Sequence, residues 1–199
     1  MTENLTDADV LAASIDEPAR FGVLFERHFD RLFSYVARRL GQDKAADVAA
    51  ETFTVAFRRR GDYDSQYKSA LPWLYGIAGR LIRRHRLAEF RHLRALGSAA
   101  RGSRHVELDE EIENRLDATR SLPSVARAVM ALSADERETL LLIAWGDLTY
   151  QQIADAMDVP VGTVRSRLSR ARSRLRGTLA AQTIEFTALS IPNEEGNHG

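Results

Sequence analysis

Apolar residues recur along most of the chain at the three- and four-residue spacing of an α-helix, and no segment alternates apolar and polar residues as a strand does. In residues 18–40 the apolar side carries Phe21, Leu24, Phe25, Leu32, Phe33 and Val36. In residues 43–59 it carries Ala46, Phe53, Ala56 and Phe57. Gly41 and Gln42 separate the two segments. The pattern therefore predicts an all-α fold that includes two antiparallel helices.

A third helix is expected from about residue 71 to residue 92. It follows the segment RGDYDSQYKSAL, residues 60–71, whose Gly, Asp and Ser residues interrupt the helical pattern. Pro72 stands near the new helix start, where its missing N–H costs no hydrogen bond. The apolar side of this helix carries Trp73, Leu74, Ile77 and Leu81. Together these helices predict a first domain over residues 18–94.

The composition changes after residue 94. Residues 95–120 are small, polar and acidic, which predicts a flexible linker. A second domain is expected over residues 121–178, with capping boxes at Ser133/Glu136 and Thr149/Gln152 and a helix end at Gly146. Residues 179–199 are expected to form a partly disordered tail. The predicted fold is thus two small helical domains joined by a flexible linker.

Residues 149–176, TYQQIADAMDVPVGTVRSRLSRARSRLR, predict a helix-turn-helix. The first helix offers Ile153, Ala154 and Met157 to a core, and a turn follows at residues 158–160. The second helix presents one apolar face, made of Val164, Leu168, Ala171 and Leu175. Its arginines must therefore point away from the core. Asp158 stands where many such turns have glycine, and Asp enters the left-handed region more readily than most residues.

The second helix of this motif is the candidate for reading duplex DNA. Its exposed N-terminal half would contact base edges in the major groove through Arg165, Ser166, Ser169 and Arg170. Arginine suits this role because its planar fork can bind guanine O6 and N7 together. Contacts to the DNA backbone would come from Thr163, Arg167 and Arg174. The alternative is a solvated arginine-rich helix end; two capped helices with only positive charges on the second favour DNA binding.

A second basic zone runs from Arg80 to Arg94 and is preceded by Trp73 and Tyr75. Aromatic rings stack on unpaired bases and guanidinium groups hold phosphates, so this combination suits single-stranded nucleic acid. The competing interpretation is that Trp73 mainly packs in the core. The basic side chains Arg80, Arg83, Arg84 and Arg86 cannot all lie on the buried face, so some positive charge must be exposed.

Composition narrows the class of protein. The chain has 199 residues, 28 basic and 28 acidic side chains, and no cysteine, which excludes disulfides and thiolate zinc sites. No apolar run reaches the length of a membrane helix, and the acidic start MTENLTDADV is unlike a signal peptide, so we expect a cytoplasmic protein without membrane insertion. No His and carboxylate spacing fits a metal, and no glycine-rich phosphate loop occurs. We therefore expect no catalytic residue, metal or cofactor.

Three segments resemble bacterial extracytoplasmic-function (ECF, group 4) RNA polymerase sigma factors. They are AADVAAETFTVAFRR (45–59), WLYGIAGRLIRRHR (73–86) and LTYQQIADAMDVPVGTVRSRLSRARSRL (148–175). The resemblance covers roughly residues 20–176. The chain departs from the family at Ala50, where members often carry glutamine, and near Gly79 and Arg80, where an asparagine is common.

The resemblance implies an initiation factor that binds core RNA polymerase, at the clamp of the largest subunit and the flap of the second, and directs it to promoter DNA. Its second domain would read the minus-35 element. Its first would capture a flipped minus-10 base in the loop 61–69, and such extrusion costs a few kcal/mol. The residues implied are Tyr63, Asp64, Gln66 and Lys68 in the loop, Arg80, Arg83 and Arg84 on the next helix, and Asp47 and Glu51 for polymerase. An anti-sigma protein is a further expected partner.

Two other classes of protein compete with this interpretation. A conventional transcriptional regulator would use the helix-turn-helix on duplex DNA and the N-terminal helices for sensing or dimerisation. Such a regulator needs no surface for melted DNA and no polymerase contact. A nucleic-acid enzyme has little support, because Asp47 and Glu51 share one helix face without further ligands.

Overall fold

The computed structural model describes residues 5–100 and 124–189, and within these ranges all regular structure is helical. The α-helices are α1 (Asp7–Asp16), α2 (Gly22–Leu40), α3 (Gln42–Arg58), α4 (Leu71–Ala100), α5 (Ser124–Met130), α6 (Ala134–Trp145), α7 (Tyr150–Met157) and α8 (Val161–Leu189). Short 3₁₀ turns occupy Pro18–Phe21 and Arg60–Asp62. The all-α prediction is confirmed.

The N-terminal helices form a bundle in which α2, α3 and α4 pack against one another. Its core side chains are fully or almost fully buried: Leu24, Leu32 and Val36 from α2, Val48 and Phe53 from α3, and Leu74, Ile77 and Ile82 from α4. Gly41, with φ of 85°, lies between α2 and α3 in a conformation that favours glycine. The predicted antiparallel pair and the third helix near Pro72 are therefore present.

Helix α1 is not among the predicted elements. Thr6 and Asp9 form a capping box at its start, in which the Asp9 amide donates to Thr6 Oγ1 over 3.2 Å and the Thr6 amide donates to Asp9 Oδ2 over 2.8 Å. Val10 and Leu11 are buried against the bundle. The sequence signal was Thr-x-x-Asp rather than the usual Ser/Thr-x-x-Glu/Gln, followed by a short apolar segment.

Two helices extend past the predicted domain limits. Helix α4 continues to Ala100, into the segment 95–120 that is predicted to be the linker; three of the residues 95–100 are Ala, the best helix former, and none is proline. Helix α8 continues to Leu189, past the predicted domain end at residue 178, and no proline interrupts the sequence between Pro160 and Pro192. The predicted linker beyond residue 100 and the tail beyond residue 189 lie outside the described residues.

The caps of the C-terminal helices follow the prediction closely. Ser133 and Glu136 exchange hydrogen bonds of 3.2 and 3.3 Å at the start of α6, and Thr149 and Gln152 form a complete capping box at the start of α7. At the end of α6 the Gly146 amide donates to the Leu142 carbonyl. The residue in the left-handed conformation is the next one, Asp147, with φ of 53°. Asp rather than Gly therefore provides the reversal after α6.

The chain divides into two compact units, Met1–Arg104 with Leu141–Val164 and His105–Leu140 with Arg165–Gly199. In the first unit α7 packs on α4, although the sequence pattern places α7 in the second domain. The approach is close at Gly76, where an added Cβ would lie 2.5 Å from the Ala156 carbonyl oxygen. A glycine is thus required on α4 for this contact.

Candidate nucleic-acid interface

A cavity of about 440 Å³ lies beside the loop that precedes α4. Tyr63, Asp64 and Tyr67 line it from the loop, and Trp73 lines it from α4. The end of α7 also contributes, through residues 154–160. The cavity therefore combines aromatic rings with carboxylates and is built entirely within the first compact unit.

The side chain of Tyr63 is held by a ring contact and a hydrogen bond. Its ring centroid lies 5.2 Å from that of Trp73, at an interplanar angle of 59°. Its hydroxyl donates to the Tyr67 carbonyl over 2.8 Å. Burial and the nearby carboxylates Asp7 and Asp64 raise the pKa of Tyr63, so the hydroxyl remains protonated and stays a donor.

The other predicted loop residues divide into two groups. Asp64 lines the cavity and accepts the Gln66 backbone N–H over 3.1 Å, and its second oxygen is bonded to the Gln66 side-chain amide. This arrangement is an Asx turn, which orders the loop tip. Gln66 and Lys68 are exposed and lie outside the cavity lining. The structure therefore brings Tyr63 and Asp64 to the cavity and leaves Gln66 and Lys68 on the surface.

The aromatic residues of α4 have different environments. Trp73 is half-buried and lines the cavity, so it both packs and presents part of its ring. Tyr75 is 1% exposed, and its ring packs edge-on against Tyr35 at 4.8 Å. The expectation that Tyr75 contributes to a base-stacking surface is wrong, because its position two residues after Trp73 turns it into the helical core.

The basic residues of α4 form an exposed face. Arg80, Arg83 and Arg84 are all exposed. Partial burial lowers the pKa of Arg80, and the neighbouring charges of Arg59 and Arg83 lower it further. A face of this kind attracts phosphate groups.

The candidate polymerase residues lie one helical turn apart on α3. Asp47 is exposed and Glu51 is half-buried. Glu51 forms an ion pair with Arg84, and His85 Nε2 lies 3.9 Å from Glu51 Oε2. The carboxylate of Glu51 therefore joins the α3 face to the basic face of α4, a connection that the sequence pattern did not reveal.

Helices α7 and α8 form the predicted helix-turn-helix. Asp158 ends α7 in the left-handed region, with φ and ψ of 53°, as its residue type suggested. In the turn, the Val159 amide donates a hydrogen bond to the Ala154 carbonyl over 3.0 Å. On α8 the predicted apolar positions Val164, Leu168 and Ala171 are buried. The residues predicted to contact bases are all exposed: Arg165, Ser166, Ser169 and Arg170.

Three arginines of α8 face the first turn of α6. Arg167 is bonded to Asp135, and its side chain is 16% exposed. Arg174 Nη1 lies 2.8 Å from Glu136 Oε2, and Arg170 Nε lies 3.4 Å from Glu136 Oε1. Burial acts to raise the pKa of Glu136, but hydrogen bonds from Ser133 and the charges of Arg174 and Arg170 outweigh it and lower that pKa. Thr163, the remaining predicted contact, is half-buried.

The sequence identifies Glu136 only as a cap of α6. Glu136 was recognised through Ser133, three residues away, whereas its arginine partners lie on another helix. Local spacing cannot show such a contact. The same carboxylate therefore caps α6 and orients two arginines of the candidate DNA-reading helix.

These features define a helix-turn-helix DNA-binding protein with two candidate nucleic-acid surfaces. One is the arginine-bearing helix that follows a capped helix and a left-handed turn. The other is the basic face of α4 beside the aromatic cavity. Residues 24–92 match the family Sigma-70 region 2, and residues 122–175 match Sigma-70, region 4. The ECF RNA polymerase sigma-E factor of Escherichia coli is 31% identical over 185 residues, which cover 88% of this chain and 95% of that protein. The chain belongs to the ECF RNA polymerase sigma factor family.

Solved structures support the same fold. CnrH, in complex with the cytosolic domain of CnrY, aligns with a TM-score of 0.60 and 24% identity over 88% of this chain and 97% of that one. The sigma factor RpoE of Bartonella quintana, in complex with the anti-sigma factor NepR, aligns with a TM-score of 0.53 and 22% identity over 80% of this chain and 96% of that one.

The family assignment distinguishes a sigma factor from a conventional transcriptional regulator. A conventional regulator would account for the helix-turn-helix but not for a region 2 match over the N-terminal helices. The chain is therefore a sigma factor for promoter-specific transcription initiation. Within the described residues, no helix has both the length and the apolar character needed to cross a bilayer.

Proposed function

We propose that this sigma factor binds core RNA polymerase and reads two promoter elements with separate surfaces, without catalysing a reaction itself. Residues 18–94 would bind the polymerase clamp and the minus-10 element, and residues 121–178 would bind the flap and the minus-35 element. Residues 95–120 would connect them, and residues 179–199 would form a C-terminal extension. The observation that carries the proposal is the presence of both region 2 and region 4 in one chain.

The minus-35 element would be read by the first turns of α8. Arg165, Ser166, Ser169 and Arg170 are exposed there, and arginine side chains can bind guanine edges bidentately. Thr163, Arg167 and Arg174 would contact phosphates. Asp135 pairs with Arg167, and Glu136 pairs with Arg174 and Arg170, so α6 would orient these side chains before DNA binds.

The minus-10 element would be captured by the loop and by α4. The cavity falls in the size range of small-molecule pockets and has Tyr63 and Trp73 as aromatic walls, which suits a single extruded base. Asp64 would supply hydrogen-bond acceptors inside, and Gln66 and Lys68 would contact the strand at the surface. The exposed Arg80, Arg83 and Arg84 would hold its phosphates.

Core polymerase would contact the α3 face that carries Asp47 and Glu51. An anti-sigma protein is proposed as a further partner, because the CnrH and RpoE structures were determined with protein partners, and NepR is described as an anti-sigma factor. The protein would act in the cytoplasm, where promoter DNA and polymerase are found.

Run-off transcription tests the function directly. Purified core RNA polymerase is incubated with a fragmented genomic template, with and without this protein, and core polymerase alone is the control. Discrete transcripts that appear only with the protein are expected, and their start sites identify the promoters. Absence of such transcripts, combined with sequence-specific retention of duplex DNA by the protein alone, would contradict the proposal and favour a conventional regulator.

A further inference from the structure

Helix α1 lies outside the residues that match region 2, yet it contacts the candidate minus-10 loop. The contact is made by Asp7, in the first turn of α1, whose side chain is 7% exposed. The Asp7 backbone N–H donates to the Lys68 carbonyl over 3.1 Å. Asp7 Oδ2 accepts the Ala70 backbone N–H over 2.9 Å. Both the main chain and the carboxylate of Asp7 thus hold the end of the loop.

Asp7 contacts the chain at the residue that precedes α4. Ala70 is completely buried and immediately precedes α4, which begins at Leu71. A helix start leaves backbone N–H groups without partners inside the helix, and negative charge is favourable there. Ser69 Oγ accepts the Leu71 N–H over 3.3 Å. Asp7 provides from α1 the carboxylate that the third helical residue, here Trp73, would provide in a capping box.

The same carboxylate is anchored on α2. Asp7 Oδ1 lies 3.1 Å from Arg27 Nη1, and Asp7 Oδ2 lies 2.7 Å from His28 Nε2. Arg27 also donates to the Leu5 carbonyl over 2.8 Å. Burial acts to raise the pKa of Asp7, but His28, the Ala70 N–H and Arg27 outweigh it and hold this pKa at about 2. Asp7 is therefore charged at neutral pH and connects α1, α2 and the loop.

We propose that Asp7 is a positioning residue for the minus-10 surface. It fixes the end of the loop at Ala70, while the Tyr63 hydroxyl ties the start of the loop to the Tyr67 carbonyl. The segment that lines the cavity is held between these two points. Asp7 touches no DNA itself; it sets the orientation in which Tyr63, Asp64 and Trp73 meet a base. This inference rests on the proposed function of the loop.

The test compares Asp7→Asn with Asp16→Asn in full-length protein. Asp16 is an exposed acid at the end of the same helix and serves as the matched control. Hydrogen exchange of peptides that cover residues 63–71 reports loop order without DNA or polymerase. Permanganate reactivity of promoter thymines reports opening by the holoenzyme, on a promoter found by run-off transcription. Retention of the closed complex and co-purification with core polymerase are measured in parallel.

We expect Asp7→Asn to speed exchange in the loop peptides and to reduce promoter opening about tenfold, the effect of losing one charge-assisted hydrogen bond. Closed-complex retention and polymerase binding should stay as in the wild type and in Asp16→Asn. Faster exchange with unchanged opening would overturn the inference, and so would equal losses in opening, retention and polymerase binding. If Asp7→Asn is unfolded at the assay temperature, Asp7→Glu, which keeps the charge but displaces it from Ala70, is judged by the same readouts.

The two proposals fail in different ways. If wild-type holoenzyme opens no promoter, the proposed function fails whatever the variants do. If wild-type holoenzyme opens promoters and Asp7→Asn opens them equally well, only the positioning role of Asp7 fails.

Discussion

The arginines of α8 differ in what they contact, although the sequence presents them as one basic series. Arg167 is mostly buried against Asp135, whereas the side chain of Arg170 is 58% exposed and its Nε lies 3.4 Å from Glu136 Oε1. Arg165 is exposed on the first turns of the helix. These differences allow the proposed base and phosphate contacts to be separated by single substitutions.

Arg170→Ala is expected to weaken promoter-specific binding by about 1–3 kcal/mol, the discrimination of one bidentate contact to guanine. Binding of holoenzyme to a promoter fragment and to a scrambled fragment is compared by titration at fixed salt. Arg172→Ala, an exposed arginine on the same helix, is the control. An equal loss on both fragments would show that Arg170 contacts phosphate rather than a base.

Glu136→Gln is expected to strengthen non-specific DNA binding. Glutamine retains the hydrogen-bonding capacity that caps α6 at Ser133, but it no longer neutralises Arg170 and Arg174. Each additional phosphate contact should steepen the slope of log affinity against log salt by about one. Fluorescence titrations over a salt series measure this slope. Asp16→Asn changes the net charge equally on α1, and the same steepening there would show that only total charge matters.

Helices α4 and α7 pack closely at Gly76. The α4 backbone approaches the Ala156 carbonyl so closely that only glycine fits, and the end of α7 consequently helps to line the cavity beside the loop. This contact pairs helices far apart in the chain.

Gly76→Ala is expected to move α7 away from α4 without unfolding α4. The added methyl group would meet the Ala156 carbonyl oxygen, whereas alanine inside a helix is intrinsically favoured over glycine by about 0.5–1 kcal/mol. Hydrogen exchange should become faster in peptides from α7 and remain unchanged in α4. Gly22→Ala, where the added Cβ has nothing within 4 Å, is the control. Unchanged exchange in α7 would show that the contact adapts to the methyl group.

Elements with local signals were predictable from the sequence, and contacts between distant helices were not. Pro72 and the Thr149/Gln152 box locate the starts of α4 and α7 because a cap depends on neighbouring residues. Asp7 and Gly76 showed no such signal, because each acts through a partner more than sixty residues along the chain. The exposure of the α8 arginines followed from the apolar face, but their ion pairs with α6 depended on tertiary packing.

The proposed surfaces require polymerase to contact α3 while DNA contacts α4 and α8. Asp47→Arg is expected to reduce co-purification with core polymerase at least tenfold, because it replaces an exposed acid at the proposed contact by a base of opposite charge. The circular dichroism spectrum and thermal midpoint should not change. Asp30→Arg, on an exposed position of α2, is the control. Undiminished co-purification of Asp47→Arg would remove this residue from the polymerase contact.

The ion pair between Glu51 and Arg84 has a thermodynamic consequence, because it joins the face proposed for polymerase to the face proposed for DNA. If a polymerase group pairs with Glu51, Arg84 is released for a phosphate, and the two proposed binding events become linked. Linkage is reciprocal: the factor by which polymerase raises affinity for DNA is the factor by which DNA raises affinity for polymerase. Both side chains are partly exposed, so this pair contributes at most about 1 kcal/mol, or about fivefold. If both proposed contacts are made, polymerase binding and promoter-strand binding reinforce each other through the Glu51 carboxylate.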